Sequence, residues 1–270
     1  DGKRKQIVHM EPERIEADLA PAHDPVSSRH AFLACEPSQH LPLAPASLDG
    51  VFTDPPYFAN VQYAELMDFC FVWLRLLLGD TVAAFERRST RTPDELTGND
   101  TLGRGLANFT AGLSDVFCHM ATALKPGAPL AFTYHHNDPQ AYAPLVVAML
   151  DANFTCTAVL PAPAEMAASL HIAGTKSSIL DSVFVCRDRD WSSYRVAPEI
   201  TSSTAERVER DVVAMADAGY SCTEGDRQCL QAGHIAGDAV RHFTECRWDR
   251  SAPLGERLTL VAAYIGAAVA

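Results

Sequence analysis

Runs of apolar residues alternate with polar, proline-containing segments along this chain, and their spacing predicts a mixed series of strands and helices. Short apolar runs bounded by turn residues predict strands at residues 30–35, 48–53, 129–134, 154–160 and 180–186. Longer segments with apolar positions three and four residues apart predict helices at residues 63–78, 107–124, 138–152, 201–219, 224–244 and 255–269. The succession indicates the α/β fold class.

The last two predicted strands differ from the earlier ones in how they are connected. Residues 154–160 and 180–186 are joined by a long turn at residues 161–179 and could pair antiparallel. Residues 1–29 are polar, with three prolines, and are interpreted as a linker or arm.

An abrupt turn follows the strand at residues 48–53, with the sequence Asp54-Pro55-Pro56-Tyr57. Two successive prolines lack the N–H donors that a sheet requires, so the strand must end there. Each proline also favours an extended conformation in the residue before it. We therefore expect the Asp54 carboxylate and the Pro55 carbonyl to be held rigidly at the carboxyl end of a strand, where open α/β sheets bind ligands.

This turn suits an exocyclic amine on a planar heterocycle. The amino group of adenine has two N–H donors, which a carboxylate and a backbone carbonyl can accept, while the ring of Tyr57 stacks on the base. If the amine attacks an electrophilic methyl group, its nitrogen becomes positive, and acceptors already in place stabilise that charge. The alternative is an ordinary turn that ends a strand, with Asp54 as a turn acid.

Three stretches resemble a family of large adenine-specific DNA methylases. They are residues 48–75, LDGVFTDPPYFANVQYAELMDFCFVWLR, residues 133–166, TYHHNDPQAYAPLVVAMLDANFTCTAVLPAPAEM, and residues 169–187, SLHIAGTKSSILDSVFVCR. The similarity extends, with gaps, from about residue 30 to about residue 245. It implies S-adenosylmethionine as methyl donor, a Rossmann-like methyltransferase sheet and the adenine amino group as acceptor. The residues of the turn, Asp54 to Tyr57, would carry catalysis.

The resemblance also implies positions for the cofactor. Glu36 and Ser38 follow the strand before the Asp-Pro-Pro-Tyr turn, where a polar residue of such enzymes often lies near the adenine of the cofactor. Asp54 is the third residue expected to contact the cofactor. A polar loop without a ligand is the alternative for Glu36 and Ser38.

Substrate contacts are expected on both sides of the turn. The resemblance covers Asn60, Tyr63, Glu65 and Asp68, whose roles would lie in the base pocket or at the cofactor edge. In the alternative interpretation, Tyr63 belongs to the core and the two acids are helix-end charges favoured by the helix dipole. Both interpretations stay open.

Two further segments could contact a nucleic-acid substrate. Arg87 and Arg88 belong to the densest basic cluster in the body of the chain, and could bind the phosphates of DNA with an extruded base, or could simply be solvated. His135 and His136 follow the strand at residues 129–134, at the same predicted ligand edge. Consecutive side chains of an extended segment point to opposite faces, so no metal site is expected. Substrate positioning by His135 and a plain loop remain open.

Composition narrows the setting of the protein. The 270 residues are 47 % hydrophobic and 21 % charged, which fits a soluble globular protein, and no apolar run is long enough to span a membrane. Eight cysteines without a CxxC pair predict a reducing, cytoplasmic location. The net charge of −12 argues against a DNA substrate, because nucleic-acid binders usually carry a basic face, although a local basic groove can lie on an acidic protein.

One expected element of a methyltransferase is missing from the sequence. No glycine-rich turn between a strand and a helix, which would let the backbone approach the methionine part of the cofactor, precedes residue 30. We therefore expect the carboxyl-terminal part of a larger enzyme, with a sheet that lacks its first strands. The expected domains are an arm at 1–29, a catalytic portion at 30–190 and a helical appendage at 191–270. An upstream segment or a second chain would complete the cofactor site.

These observations predict S-adenosylmethionine-dependent methylation of adenine in DNA, on a base flipped out of the helix. An RNA or protein amide methyltransferase is the nearest alternative, because related turns bind other planar amines. A non-catalytic remnant that binds a partner is the alternative of another class. The acidic composition and the missing glycine turn favour the remnant, and the intact Asp54-to-Tyr57 turn opposes it.

Overall fold

The computed structural model of the chain describes residues 16–18, 30–32, 36–59, 61–99, 102–164, 178–190 and 202–269. The chain divides into two compact units, residues 1–43 and residues 44–270. In the first unit, strands β1 (Glu16–Asp18) and β2 (His30–Phe32) pair in parallel. A 3₁₀ turn follows at Ser38–His40. The arm predicted at residues 1–29 thus includes one strand.

The second unit contains a four-stranded sheet and six helices among its described residues. The strands are β3 (Val51–Thr53), β4 (Leu130–Tyr134), β5 (Phe154–Pro163) and β6 (Leu180–Asp188). The helices are α1 (Tyr63–Leu78), α2 (Leu106–Ala123), α3 (Ala143–Asp151), α4 (Thr204–Asp217), α5 (Glu224–Glu245) and α6 (Leu254–Val269). The predicted α/β class is confirmed.

The strand order in the sheet is β3-β4-β6-β5. β3 and β4 are parallel, with Thr53 opposite Phe132, whereas β6 is antiparallel to β4 and to β5. The antiparallel pairing predicted for the last two strands is therefore confirmed. In this order the carboxyl ends of β3 and β4 lie at the same edge of the sheet as the amino end of β6.

The predicted helix at residues 138–152 has two parts. Asp138 accepts a hydrogen bond from the backbone N–H of Gln140, as expected for an N-cap, and the first turn at Pro139–Tyr142 is a 3₁₀ helix. The α-helical part, α3, is buried along its whole length. It packs between α2 and the carboxyl-terminal helices α5 and α6.

Aromatic rings form the centre of the core. Phe132 of β4 stacks on Phe184 of β6 with ring centroids 5.0 Å apart, and packs against Phe117 of α2 at 5.2 Å. The helices expected as a carboxyl-terminal appendage supply Ile235, Val240 and further buried side chains to the same core. The domain boundary at residue 190 stays a prediction. None of the described helices combines the length and apolar character that a bilayer span requires.

Candidate active site

A cluster of polar side chains occupies the edge where β3, β4 and β6 meet. Asp54 follows β3 directly, His135 follows β4, and Asp181 is the second residue of β6. Because Tyr134 and Ser182 are register partners, the neighbouring residues His135 and Asp181 are brought side by side. The pairing of the strands therefore assembles residues that are far apart in the sequence.

The carboxylate of Asp54 is held from one side. Thr133 donates its hydroxyl hydrogen to Oδ1 at 2.5 Å, and the hydroxyl of Tyr57 approaches the same oxygen at 3.2 Å. Asp54 is exposed, and its Oδ2 has no hydrogen bond to any residue that the structure describes. Pro55 beside it is buried, which anchors the turn. Among the described residues, Asp54 therefore has one acceptor atom, Oδ2, without a donor.

Tyr57 joins two carboxylates through its hydroxyl group. Its oxygen lies 3.1 Å from Oδ2 of Asp181 as well as 3.2 Å from Oδ1 of Asp54. Burial, followed by the charges of Asp181 and Asp54, raises the pKa of Tyr57 far above its ordinary value, so the phenol stays protonated. Its ring makes edge contacts with the rings of Tyr134 at 5.2 Å and His135 at 4.8 Å.

His135 and Asp181 form a hydrogen-bonded pair behind Tyr57. Nδ1 of His135 lies 2.5 Å from Oδ1 of Asp181, and the two side chains are 17 % and 7 % exposed. Asp181 was not among the residues predicted for the site. A lone carboxylate within the apolar run Ile179-Leu180-Asp181-Ser182-Val183 was the available signal, since acids are rarely buried without a partner.

His136 has partners different from those of His135. Its Nδ1 accepts the backbone N–H of Asp138 at 2.9 Å, so Nε2 carries the hydrogen and donates it to the Phe58 carbonyl at 3.2 Å. Burial lowers the pKa of His136, which favours this neutral form. Its role in the fold is to fasten the loop after β4 to the segment after β3. No group of three potential metal ligands occurs in the described part of the chain.

Tyr63, the first residue of α1, closes the turn from the other side. Its hydroxyl oxygen accepts the backbone N–H of Tyr57 at 3.4 Å, and burial raises the pKa of the phenol. Asn60, the neighbouring residue predicted to contact substrate, lies outside the described residues. Tyr63 therefore supports the turn by a direct contact, and any contact with substrate stays a prediction.

The two acids of α1 hold the basic segment against the helix. Asp68 accepts hydrogen bonds from both Ser89 and Thr90, with Thr90 N–H at 2.6 Å, and these bonds lower the pKa of its carboxyl. Glu65 forms an ion pair with Arg91 at 2.9 Å. The structure thus gives Glu65 and Asp68 partners in the following loop.

Arg87 and Arg88 lie exposed in that loop. Arg87 donates a hydrogen bond to the carbonyl of Arg91 at 3.0 Å. Within the described ranges, no hydrogen bond or ion pair joins either arginine to Asp54 or Tyr57. Their predicted contact with DNA phosphates stays a prediction.

The residues predicted for the cofactor are divided between the two units. Glu36 and Ser38 belong to the unit of residues 1–43, with Glu36 exposed and Ser38 opening a 3₁₀ turn, and Asp54 belongs to the other unit. The donors and acceptors at the Asp54 edge suit an amine. Among the described residues, this edge offers no cation and no glycine-rich amide cradle for the methionine carboxylate of S-adenosylmethionine. The fit is therefore to the acceptor amine and not to the whole cofactor.

Comparison with known proteins adds little to this geometry. No family model and no curated protein matches the chain. Among solved structures, a match was found to TTHA0409 from Thermus thermophilus, named "Putative DNA Modification Methylase", at 16 % identity and a TM-score of 0.30. The match covers 65 % of this chain and 62 % of that one, so the chain spans about three fifths of its length. At this TM-score the likeness carries no argument about fold or function.

Proposed function

We propose that this chain supplies the amine-binding half of an S-adenosylmethionine-dependent methyltransferase that modifies the exocyclic amino group of adenine in DNA. The observation that carries the proposal is the state of the Asp54 carboxylate. The residue is exposed, its Oδ1 is occupied by Thr133 and Tyr57, and its Oδ2 has no partner among the described residues. An acceptor held in this way is ready for an N–H donor from a ligand.

The chemistry follows from the two hydrogens of the amine. One N–H would donate to Oδ2 of Asp54 and the other to the carbonyl of Pro55, which would turn the nitrogen lone pair toward a methyl donor. As the nitrogen gains a methyl group it becomes positive, and the fixed carboxylate stabilises this charge without reorganising. The proton can leave after transfer, so no separate general base is required. The ring of Tyr57 would stack on the extruded base.

The other predicted residues would act around this centre. Tyr63 and Asn60 would line the base pocket, His135 would help to position the substrate from behind Tyr57, and Arg87 and Arg88 would contact backbone phosphates. Glu36 and Ser38 would lie near the adenine of S-adenosylmethionine. An upstream segment or a second chain would supply the amide cradle for the methionine part. This division is consistent with the net charge of −12, since most phosphate contacts would then come from outside this chain.

The test compares Asp54→Asn with the wild type in the full-length protein, by transfer of labelled methyl groups from S-adenosylmethionine to adenine-containing DNA. We expect a loss of about 10²- to 10³-fold in kcat, the range for removal of one preorganised charge-stabilising group. Asp49→Asn is the matched control, because Asp49 precedes β3, is exposed and pairs only with Lys125 among the described residues. Equal rates for Asp54→Asn and Asp49→Asn would refute the proposal.

The choice of methyl acceptor distinguishes a DNA methyltransferase from an RNA or protein amide methyltransferase. The same assay with RNA and with a protein amide in place of DNA tests the alternative methyltransferases directly. If the wild type methylates RNA or protein and not DNA, the proposed role of Asp54 stands and the proposed substrate is wrong.

A second candidate function is that of a non-catalytic, partner-binding remnant of the fold. The observation that favours it is the surface of α1, which exposes large apolar side chains including Phe69, Leu76 and Leu77. If a folded full-length protein binds S-adenosylmethionine in calorimetric titration and transfers methyl groups, the remnant reading fails. If it binds no cofactor and transfers none, the remnant reading replaces the proposal.

A further inference from the structure

A chain of hydrogen-bonding contacts leads inward from the candidate amine site. It runs from Asp54 through the hydroxyl of Tyr57 at 3.2 Å to Asp181 at 3.1 Å, and from Asp181 to Nδ1 of His135 at 2.5 Å. Asp54 is exposed, whereas the Asp181 side chain is only 7 % exposed. The inner half of this chain has no role in the amine contacts proposed above.

This series of contacts has fewer hydrogens at Tyr57 than acceptors around it. The phenol of Tyr57 has one hydrogen, and two carboxylate oxygens lie within hydrogen-bond distance of its oxygen. A hydroxyl donates one hydrogen, so Asp54 and Asp181 compete for it. The carboxylate that has fewer other donors will attract the hydrogen more strongly.

His135 decides this competition because, in the part of the chain that the structure describes, it is the donor to Asp181 besides Tyr57. Its ring N–H satisfies Oδ1 of Asp181 in a short contact, so that carboxylate depends less on Tyr57. Thr133 is the corresponding donor to Asp54. It cannot fix the plane of the carboxylate alone, since Thr133 and Tyr57 both bind the same oxygen, Oδ1. The orientation of Oδ2 toward a ligand therefore depends on the hydroxyl of Tyr57.

We propose that Asp181 and His135 are positioning residues for the amine site: His135 engages Asp181, so that the hydroxyl hydrogen of Tyr57 is left for Asp54 and fixes its carboxylate toward the amine. The proposal rests on the proposed function and deepens it, because it assigns a second role to Tyr57. The ring stacks on the base, and the hydroxyl transmits the state of the inner pair. No covalent step is involved.

The test is a double-mutant cycle on methyl transfer in the full-length protein. Tyr57→Phe keeps the ring and removes the hydroxyl, so we expect kcat to fall on the order of tenfold, about the worth of one hydrogen bond, with KM unchanged. His135→Ala should cause a similar fall, because Asp181 then draws the hydroxyl away from Asp54. The double variant should be no slower than Tyr57→Phe alone, since His135 acts only through that hydroxyl.

Two further variants separate positioning from general damage to the fold. His135→Asn should restore most of the activity lost in His135→Ala, because its side-chain amide places an N–H donor near the position of Nδ1. Tyr220→Phe, at an exposed tyrosine after α4, should leave kcat unchanged. Additive losses in the double variant, or full activity of Tyr57→Phe, would overturn the proposal.

A readout without turnover keeps the test valid if no methyl transfer is found. The carboxyl ¹³C chemical shift of Asp54 reports its hydrogen bonds in the free protein. Tyr57→Phe and His135→Ala should shift this resonance in the same direction, with no further change in the double variant. If this pattern appears without methylation, the proposed function fails and the network stands. If His135→Ala leaves the resonance unmoved, the network fails whatever the enzyme assay shows.

Discussion

Helices α1 and α5 are both long, and their environments are opposite to what their composition suggests. α1 is the more apolar of the two, yet Ala64 is the only buried residue among its 16. α5 carries charged and polar residues along its length, yet twelve of its 22 residues are buried. The comparison shows that apolar content alone does not place a helix in the core.

The position of α5 in the fold explains its burial. Small and apolar residues predominate in its middle, where residues 232–237 are all buried between the sheet and the helices α3, α4 and α6. Gly233 and Gly237 face the sheet and allow close approach. A Cβ atom at Gly233 would lie 2.2 Å from Oγ of Ser182 in β6, and one at Gly237 would lie 2.9 Å from Val159 in β5.

α1 is not enclosed in this way. Its own large apolar side chains project on all sides, and its contacts with the rest of the described chain lie mainly with the loop that follows, where Phe71 stacks on Phe85 at 5.3 Å. A helix that is apolar on all sides is typical of a buried helix. The sequence therefore specifies that α1 is a helix and does not specify its partner.

The largest difference in the effect of a substitution on stability is expected between two phenylalanines. Phe243 of α5 is 6 % exposed and packs on Trp248 and Tyr264, whereas Phe69 of α1 is 74 % exposed. Phe243→Ala should lower the free energy of unfolding by about 3–5 kcal/mol, because the cavity cannot close fully. Phe69→Ala should change it by less than about 0.5 kcal/mol. Urea denaturation followed by circular dichroism measures both, and equal losses would mean that α1 is buried in solution.

The next prediction concerns the close packing of α5 on the sheet. Gly233→Ala should lower the free energy of unfolding by about 1–3 kcal/mol, because the added methyl group overlaps Ser182 and this outweighs the better helix propensity of alanine. Gly255→Ala in α6 is the control, since nothing lies within 4 Å of its Cβ position. That variant should be neutral or more stable by up to about 1 kcal/mol. A stabilised Gly233→Ala variant would show that α5 does not contact β6 as described.

Local patterns predicted most of the elements because helices and strands depend on nearby residues. The predicted helix at 63–78 is confirmed with the same bounds, and those at 224–244 and 255–269 are confirmed to within a residue. Strand bounds were less accurate, since β5 extends through Pro163. Its last residues pair with the start of β6, and sequence spacing does not reveal a partner across a long turn.

The candidate site was predictable only where its residues are close in sequence. Asp54 and Tyr57 stand together in one turn, and their chemistry could be inferred from that turn alone. Thr133 and Asp181 reach the site through the pairing of strands. Thr133 is 79 positions from Asp54 in the sequence, and Asp181 is 124 positions from Tyr57. A threonine within β4 gives no signal of its own, and the acid in the apolar start of β6 indicates a buried partner without showing which residue that partner is.

The amino end of α5 gives a pH-dependent prediction. The carboxylate of Asp226 is buried and accepts hydrogen bonds from Thr223, Ser178 and Ile179, the last two being residues that lead into β6. Burial alone would raise the pKa of Asp226, but these bonds hold it below its ordinary value. The charged carboxylate therefore stabilises the fold. Its contribution to stability is fully present above the unfolded pKa of about 3.9 and is lost as the pH falls through the lower folded pKa.

Asp226→Asn should therefore lower the free energy of unfolding at pH 7 by about 1–3 kcal/mol, because the amide group brings hydrogens toward other donors. The difference from the wild type should narrow in acid, below about pH 4. Glu224→Gln, an exposed acid of the same first turn, serves as the control and should have little effect at either pH. A gap of constant size down to about pH 2 would mean that the carboxylate is not the source of the stability.

The smallest effect is expected on α1, and it is the most direct test of its exposure. Leu76 and Leu77 are 75 % and 79 % exposed, and glutamine has nearly the helix propensity of leucine. Leu76→Gln and Leu77→Gln should each change the free energy of unfolding by less than about 0.5 kcal/mol. Denaturation at two protein concentrations makes the measurement sharper, because a second copy covering α1 would make wild-type unfolding depend on concentration. Losses above about 2 kcal/mol, or such a dependence, would mean that α1 is covered in solution, and its contrast with α5 would disappear.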